Sequence, residues 1–300
     1  MIKHEDRAIQ YIGHLVLLTM SLCAILPFAL LIISSLTDNL TALTYGYSFM
    51  PKKWSLEAYT YIFGEWQIIG RAYLVSITVT SAGTLGSLLI TSMLAYALSK
   101  DGLPGRNVLM FMVVFTMLFN GGIVSTYFIY NNVFKIRNTI WGLIVPGLLM
   151  NAFNVILIRN YYKSNIPPAL FEVARIDGIG EITVFFRIVV PLSFPVFATI
   201  GLMTAIMYWN DWTNGLYFLT ERGGSRLYNI QNILNRINEN IQFLANNSSR
   251  MGGMVLDTSK LPSTTVRMAI AAIGIIPILA IYPFFQRYFV KGITIGAVKE

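Results

Sequence analysis

Charge, sulfur and histidine are all scarce in this chain. Of its 300 residues 22 are Lys or Arg and 14 are Asp or Glu, so 12% are charged. A soluble domain carries about twice that share, which excludes an ordinary water-soluble fold. The one cysteine, Cys23, lies in an apolar run and permits no internal disulfide. The two histidines are His4 and His14. No His-Glu-x-x-His, no Ser-His-Asp pattern and no phosphate-loop lysine motif can be placed, so an intramembrane enzyme has neither metal ligands nor a nucleophile–base pair to work with. The long apolar runs contain no acid, which argues against an ion- or proton-driven pathway. The net charge is +8, yet no basic cluster is dense enough to grip nucleic acid.

What the chain has in quantity is apolar length. It is 55% hydrophobic, with a mean hydropathy of +0.60. Six stretches free of Arg, Lys, Asp and Glu stand out, at 8–37, 72–99, 107–134, 138–158, 188–210 and 268–286. A helix needs about 20 apolar residues to cross a bilayer core. The expectation is an all-α membrane protein with six transmembrane helices. The first stretch is too long for a cleavable signal, whose apolar region has about 7 to 15 residues, and it is kept as a span. His14, inside it, is either a hydrogen-bonded structural residue or a proton carrier. Lys and Arg divide equally between the two sides of this arrangement, so the positive-inside rule does not orient the chain. The Asn39-Leu40-Thr41 and Asn246-Asn247-Ser248 triplets fit the glycosylation pattern, which is short and means nothing in a bacterial protein.

Between the spans, 38–71 is a long loop in which Pro51 stops the chain and Ser55 can cap a short helix through Tyr59 and Phe63. Residues 100–106 form a tight turn. The longest loop, 211–267, contains Ile230, Ile233, Leu234, Ile237, Ile241 and Leu244 at helical spacing. That amphipathic helix either packs on its own loop or the bilayer surface, or docks a partner. Asn120-Gly121-Gly122 and Pro146-Gly147 mark irregular backbone in the third and fourth runs. Such backbone is tolerated at membrane depth only where protein or a water-filled cavity covers it.

The segment 164–191 reads as a small folded device on the membrane surface. Pro167 and Pro168 cannot continue a helix but can begin one, with Ser164 or Asn165 near the cap. About two turns follow over Ala169–Asp177. Leu170, Val173 and Ala174 share one face, and Glu172 and Arg175 project from another. Gly178 can take the positive φ that ends a helix. A second helix starts near Glu181 and runs to Pro191. Residues 178–180 are a turn, not a phosphate loop. From chemistry alone the device is either an interfacial anchor or a docking element.

Neutral polarity marks a second region. Asn120, Asn151, Asn154 and Asn210 lie in or beside apolar runs, and Tyr208, Trp209 and Trp212 surround Asn210. Amides and aromatic faces suit an uncharged sugar, without the desolvation cost of a charge. The competing reading is an interfacial aromatic belt with asparagines bonding neighbouring helices.

Glu172-x-Ala174-x-x-x-Gly178, nine residues, then Ile188-x-Val190-Pro191, resembles the EAA motif of ABC importer permeases. Val173 stands for the motif's middle alanine and Val190 for its final leucine. Asn154 to Arg159, Ile166-Pro167, Ile176-Asp177-Gly178 and Trp209-Asn210-Asp211-Trp212 resemble the carbohydrate-uptake, maltose-permease branch. Phe119 to Ile123 and the tail from Arg287 to Lys299 are similar to its subgroup for oligosaccharides and polysaccharide fragments, which commonly has proline where Ser125 stands. The resemblance covers nearly the whole chain.

It implies a type I ABC importer permease (MetI-like) fold. It also implies a single domain over 1–300, with core spans at about 72–290, a cytoplasmic coupling segment at 160–190 and an extracytoplasmic loop at 211–267. In such a permease Glu172 would face a basic group of the ATPase, Ala174 would allow close approach, and Gly178 would fix the exit angle, with Arg175 and Asp177 beside them. The implied partners are a second permease subunit, two ATP-binding cassette subunits and an extracytoplasmic solute-binding protein. ATP and Mg would be held by the ATPase subunits and no cofactor by this chain. The implied location is a bacterial cell membrane, with both termini cytoplasmic. The rival class is a stand-alone secondary transporter or channel for a neutral solute.

Overall fold

The computed structural model describes residues 4–247 and 264–297. The 248–263 part of the long loop, Ser248 of the second glycosylation triplet and Val298 and Lys299 of the tail lie outside the described residues. Among the described residues there is helix, turn and one isolated bridge between Thr37 and Trp54.

The helices are α1 (His4–Ser35), α2 (Asn39–Tyr45), α3 (Glu57–Gly64), α4 (Trp66–Ser99), α5 (Arg106–Leu118), α6 (Gly122–Phe128, continued by a π turn over Ile129–Val133), α7 (Trp141–Ile144) and α8 (Ala152–Asn165). The chain goes on through α9 (Pro168–Ile176), α10 (Glu181–Val184), a π turn over Phe185–Val189, α11 (Val190–Leu192), α12 (Phe194–Asn210), α13 (Thr213–Phe218), α14 (Glu221–Gly224), α15 (Ile230–Asn247) and α16 (Thr264–Ala297).

The described helices do not reproduce all six expected spans as single straight helices. Three described helices are long and apolar enough to cross a membrane: Ile9–Ser35, Trp66–Ser99 and Thr264–Pro283. The third and fifth apolar runs are bent pairs. Arg106–Leu118 and Gly122–Val133 meet at 119°, and Glu181–Leu192 and Phe194–Asn210 meet at 82°. The fourth run divides into α7 and α8. The breaks in the third and fourth runs fall at the expected glycines: Gly122 (φ +78°) and Gly147 (φ +72°) both adopt left-handed backbone, which costs a side-chain-bearing residue about 1–2 kcal/mol. The break in the fifth run, at Ser193, was not expected.

The chain forms two compact units. One comprises 1–69 and 233–277. In it α1 is apolar (mean hydropathy 2.7) and exposed from residue 9 to residue 28, as a lipid-facing helix would be, and its last residues, Ser34 and Ser35, are buried. His14 is exposed there and makes no hydrogen bond among the described residues. The loop after α1 is tied by Asp38, which accepts from Lys53 Nζ at 3.0 Å and from Thr41 N at 3.2 Å. These donors hold its carboxyl below the usual range. Ser55 Oγ accepts from Glu57 N at 3.1 Å, so the expected serine supports α3 from just outside it. Leu56 occupies the cap position. The amphipathic stretch from Ile230 is helical as expected.

The second unit comprises 70–232 and 278–300. Its main core gathers Ala95, Leu98, Val155, Ile158, Val189 and Ile200 from α4, α8, the second π turn and α12. A smaller core holds Val79, Leu143, Ile144, Tyr208 and Leu219. Close approach of α4 to α12 depends on glycine. A Cβ at Gly83 would lie 2.5 Å from Tyr208 Cζ, and one at Gly201 would lie 3.1 Å from a Leu88 methyl.

Candidate functional site

Two places in the second unit collect the expected residues. The first is the surface segment. Ile166 and Pro167 both precede a proline, which disfavours helical backbone, and α8 ends at Asn165 with Ile166 and Pro167 in non-helical backbone. Pro168 opens α9 at its first position, where a missing N–H costs nothing. Neither Ser164 nor Asn165 caps it. Pro167 holds the cap position, and Asn165 Nδ2 turns back to donate to Tyr161 O at 3.1 Å.

The C-terminal end of α9 is closed by two reversed bonds. Ile179 N donates to Ala174 O at 2.9 Å and Gly178 N donates to Arg175 O at 3.1 Å, with Gly178 at φ +69°. This is the Schellman pattern, which requires left-handed backbone at the residue after the cap. Asp177 is the cap residue, and Glu172 is exposed.

Of the apolar face of α9, only part is buried. Ala174 is 2% exposed, and Phe171 packs with it against the main core. Leu170, Val173 and Ile176 point outward, at 38%, 55% and 85% exposure. The reason lies far away in sequence: the last turn of α4 offers Tyr96 and Lys100 as a bed for the Phe171 ring. The result is a short helix with an apolar outer face and a carboxylate beside it.

Sequence reasoning missed the group that ties this segment to α4. Tyr96 OH donates to Glu181 Oε2 at 2.6 Å, and Lys100 Nζ lies 2.9 Å from the same oxygen. Lys100 Nζ also sits over the rings of Tyr96 and Phe171, 4.6 and 4.3 Å from their centroids. Arg175 reaches Glu181 Oε1 at 3.9 Å. The Tyr96 hydrogen bond, then Lys100, holds the Glu181 carboxyl below the usual range. A cavity of about 430 Å³ opens beside the cluster, walled by Met93, Ala97, Leu103, Pro104, Ile182 and the charged groups. Next to it Asp101 accepts from Lys163 and Arg106, which lower its carboxyl too.

The second place is the far end of α12. Tyr208 is 1% exposed and its OH donates to Ile144 O at 2.8 Å. Asn214 Nδ2 donates to Pro146 O at 3.0 Å and Leu143 O at 3.4 Å. These carbonyls are the ones that the break between α7 and α8 releases. Trp209 is 6% exposed, with its ring edge-on to Tyr73 at 6.1 Å. Asn210 Oδ1 accepts from Gln231 Nε2 at 3.4 Å, and Trp212 O accepts from Asn232 Nδ2 at 2.7 Å. Asn229 Nδ2 donates to Asp211 O at 2.7 Å. Burial pushes the Asp211 carboxyl up, against the lowering effect of the Asn214 and Thr213 amides.

The structure thus gathers Tyr208, Trp209, Asn210 and Trp212 with Asn214, Asn229, Gln231 and Asn232. It leaves Asn210 and Trp212 exposed. Asn151 caps α8 by accepting from Asn154 N at 3.2 Å, and Asn154 is 8% exposed. Asn120 accepts from Gly122 N at 2.8 Å at the 119° bend and bonds to none of the other expected pathway residues among those described. Asn229, Gln231 and Asn232 belong to a polar stretch that sequence spacing alone does not connect to α12.

Comparison with known proteins agrees with this architecture. Residues 102–295 match the family described as binding-protein-dependent transport system inner membrane component. The chain is 38% identical to the polygalacturonan/rhamnogalacturonan transport system permease protein YtcP of Bacillus subtilis, over 94% of this chain and 95% of that one. It is 37% identical to LplC of the same organism, over 92% and 89%. A crystal structure of a bacterial ABC transporter involved in the import of the acidic polysaccharide alginate matches with a TM-score of 0.79 and 27% identity, covering 96% of this chain and 99% of that one. The chain therefore belongs to the family of inner membrane components of binding-protein-dependent transport systems, and is a non-catalytic membrane subunit of an ABC importer.

Proposed function

We propose that this chain forms half of the translocation path of an oligosaccharide importer and receives its motion through α9. A second, similar permease completes the path, two ATPase subunits dock on the cytoplasmic side, and a binding protein delivers the sugar from outside. Helix α9 and both termini face the cytoplasm, and the Asn210–Trp212 end of α12 faces out. The observation that carries this reading is the build of α9. Proline opens it, a left-handed glycine closes it, Phe171 and Ala174 anchor it, and Val173 and Ile176 are exposed. A rigid stub with an apolar outer face and Glu172 beside it fits a groove in a partner of mixed apolar and basic character. Displacing such a stub moves what it is anchored to. The sugar class rests on the relatives, among them the polygalacturonan/rhamnogalacturonan permease YtcP and the arabinooligosaccharides permease AraQ. Exposed Asn210 and Trp212 offer the amide and aromatic contacts that sugars use.

Two measurements test it. Purification through a tag on this chain is expected to bring along an ATPase subunit and a second permease; a chain that purifies alone counts against the reading. Deletion of the chain is expected to abolish uptake of labelled arabino- or galacturonate oligosaccharides while sparing their monosaccharides. Uptake of both oligosaccharides at native rates would remove the sugar assignment.

A further inference from the structure

The junction between the surface segment and α4 is only partly filled by packing. The cavity of about 430 Å³ opens beside it, while the Tyr96 ring packs on Phe171 and Phe185 with centroids 6.2 and 5.5 Å away. At the rim of that cavity the bridge is polar. Glu181 brings one carboxylate oxygen to both Tyr96 OH (2.6 Å) and Lys100 Nζ (2.9 Å). The Lys100 side chain is only 19% exposed and is held over two aromatic faces, one from α4 (Tyr96) and one from α9 (Phe171). Its partner Glu181 is 56% exposed, so the pair is half-buried; removing the carboxylate still leaves a poorly hydrated cation without its counter-ion, at a smaller cost than in a fully buried pair. Charge-assisted hydrogen bonds are also about twice as strong as neutral ones. The three groups come from two separate stretches of chain, and Phe171 adds a third point of attachment.

We propose that the Tyr96–Glu181–Lys100 cluster is a latch that makes the surface segment and the end of α4 move as one body, so that displacement of α9 reaches the membrane-crossing helices through α4. Glu181 and Lys100 are then positioning residues for coupling, touching neither sugar nor nucleotide. The latch rests on the reading of α9 as the ATPase-docking element.

The test uses the whole complex, with Cys23→Ser removing the only native thiol of this chain. Spin labels go on Ala169→Cys in α9 and Ile90→Cys in α4, both exposed positions. Their separation is measured without nucleotide and after trapping with ATP and vanadate. In the native sequence the separation is expected to stay the same in the two states. In Glu181→Gln, which keeps the shape and removes the charge, trapping is expected to shift and broaden it. Tyr96→Phe, which keeps the ring packing, should give a smaller shift. Lys100→Met, which keeps the stem over the rings and removes the charge, should loosen the pair as Glu181→Gln does. A Glu181→Gln complex indistinguishable from native, a Lys100→Met complex as tight as native, or a native pair whose separation changes on trapping each overturns the latch. A preparation that carries no ATPase and traps no vanadate fails the function proposal instead.

Discussion

Gly178 is where the surface segment is most exposed to a single substitution. Its φ of +69° costs a residue with a Cβ about 1–2 kcal/mol. Nothing lies within 4 Å of a Cβ built there, so no clash adds to that figure. A variant could escape the strain by returning to negative φ. It would then lose the two closing bonds, from Ile179 N to Ala174 O and from Gly178 N to Arg175 O, each contributing roughly 0.5–1.5 kcal/mol. The two routes cost about the same, so the end of α9 is destabilised either way by an amount worth roughly 5- to 30-fold in its population. The damage stays local, because residues 175–182 are exposed and the core does not depend on them. The series Gly178→Asn, Gly178→Ala and Gly178→Val separates backbone from bulk, since asparagine tolerates left-handed backbone and a β-branched residue does not. Oligosaccharide uptake in cells, set against abundance by immunoblot, should fall in that order at unchanged abundance. A valine variant with native uptake, or an asparagine variant as poor as valine, would refute the argument.

Three further outcomes follow from the second unit. Gly83→Ala forces a methyl into the Tyr208 ring, which is held by its bond to Ile144 O and cannot retreat. Overpacking of this kind costs about 1–3 kcal/mol, read as a lower melting temperature of the purified protein in detergent. Thr91 is 1% exposed and its hydroxyl has no partner among the described residues, so Thr91→Val should leave that melting temperature unchanged or raise it. Asp211 is held above its usual value of 3.8 by burial. The folded state therefore penalises its charged form at neutral pH, and the penalty fades as pH falls through the raised value towards 3.8. Asp211→Asn should melt higher than native at neutral pH, with the difference closing on acidification.

The parts of this molecule that could be read from sequence are those whose causes are local. Pro167, Pro168 and Gly178 act on their own backbone and on the residue before them, and they bound α9 within a residue or two of the expected ends. Asn120-Gly121-Gly122 and Pro146-Gly147 likewise marked the true breaks. Which apolar residues of α9 are buried could not be read, because it is decided by Tyr96 and Lys100, far earlier in the chain. Separation hid the Glu181 cluster too, since Tyr96 lies 85 residues before Glu181. A tyrosine and a lysine at the end of an apolar run look like membrane-interface residues, and a glutamate opening a helix looks like a first-turn acid. Both readings are sound for each residue taken alone.

The broken spans show why counting apolar runs is a different question from counting helices. Apolar length decides whether a segment can sit in lipid. Whether it crosses as one helix depends on its backbone hydrogen bonds, because an unsatisfied carbonyl at that depth costs several kcal/mol. A break is therefore permitted only where another part of the chain supplies donors. In the fourth run the donors are Tyr208 OH and Asn214 Nδ2, which meet the carbonyls of Leu143, Ile144 and Pro146 across 64 to 71 residues. Their presence turns a run long enough for one straight helix into a short helix, a turn and a new helix capped by Asn151. The asparagines that first look like sugar ligands are thus of two kinds. Asn151 caps the helix that follows the break, next to the bonds made by Asn214, while Asn210 keeps an exposed amide at the end of α12. Polarity inside a transporter's spans serves the fold of the path before it serves the solute, and only exposure separates the two uses.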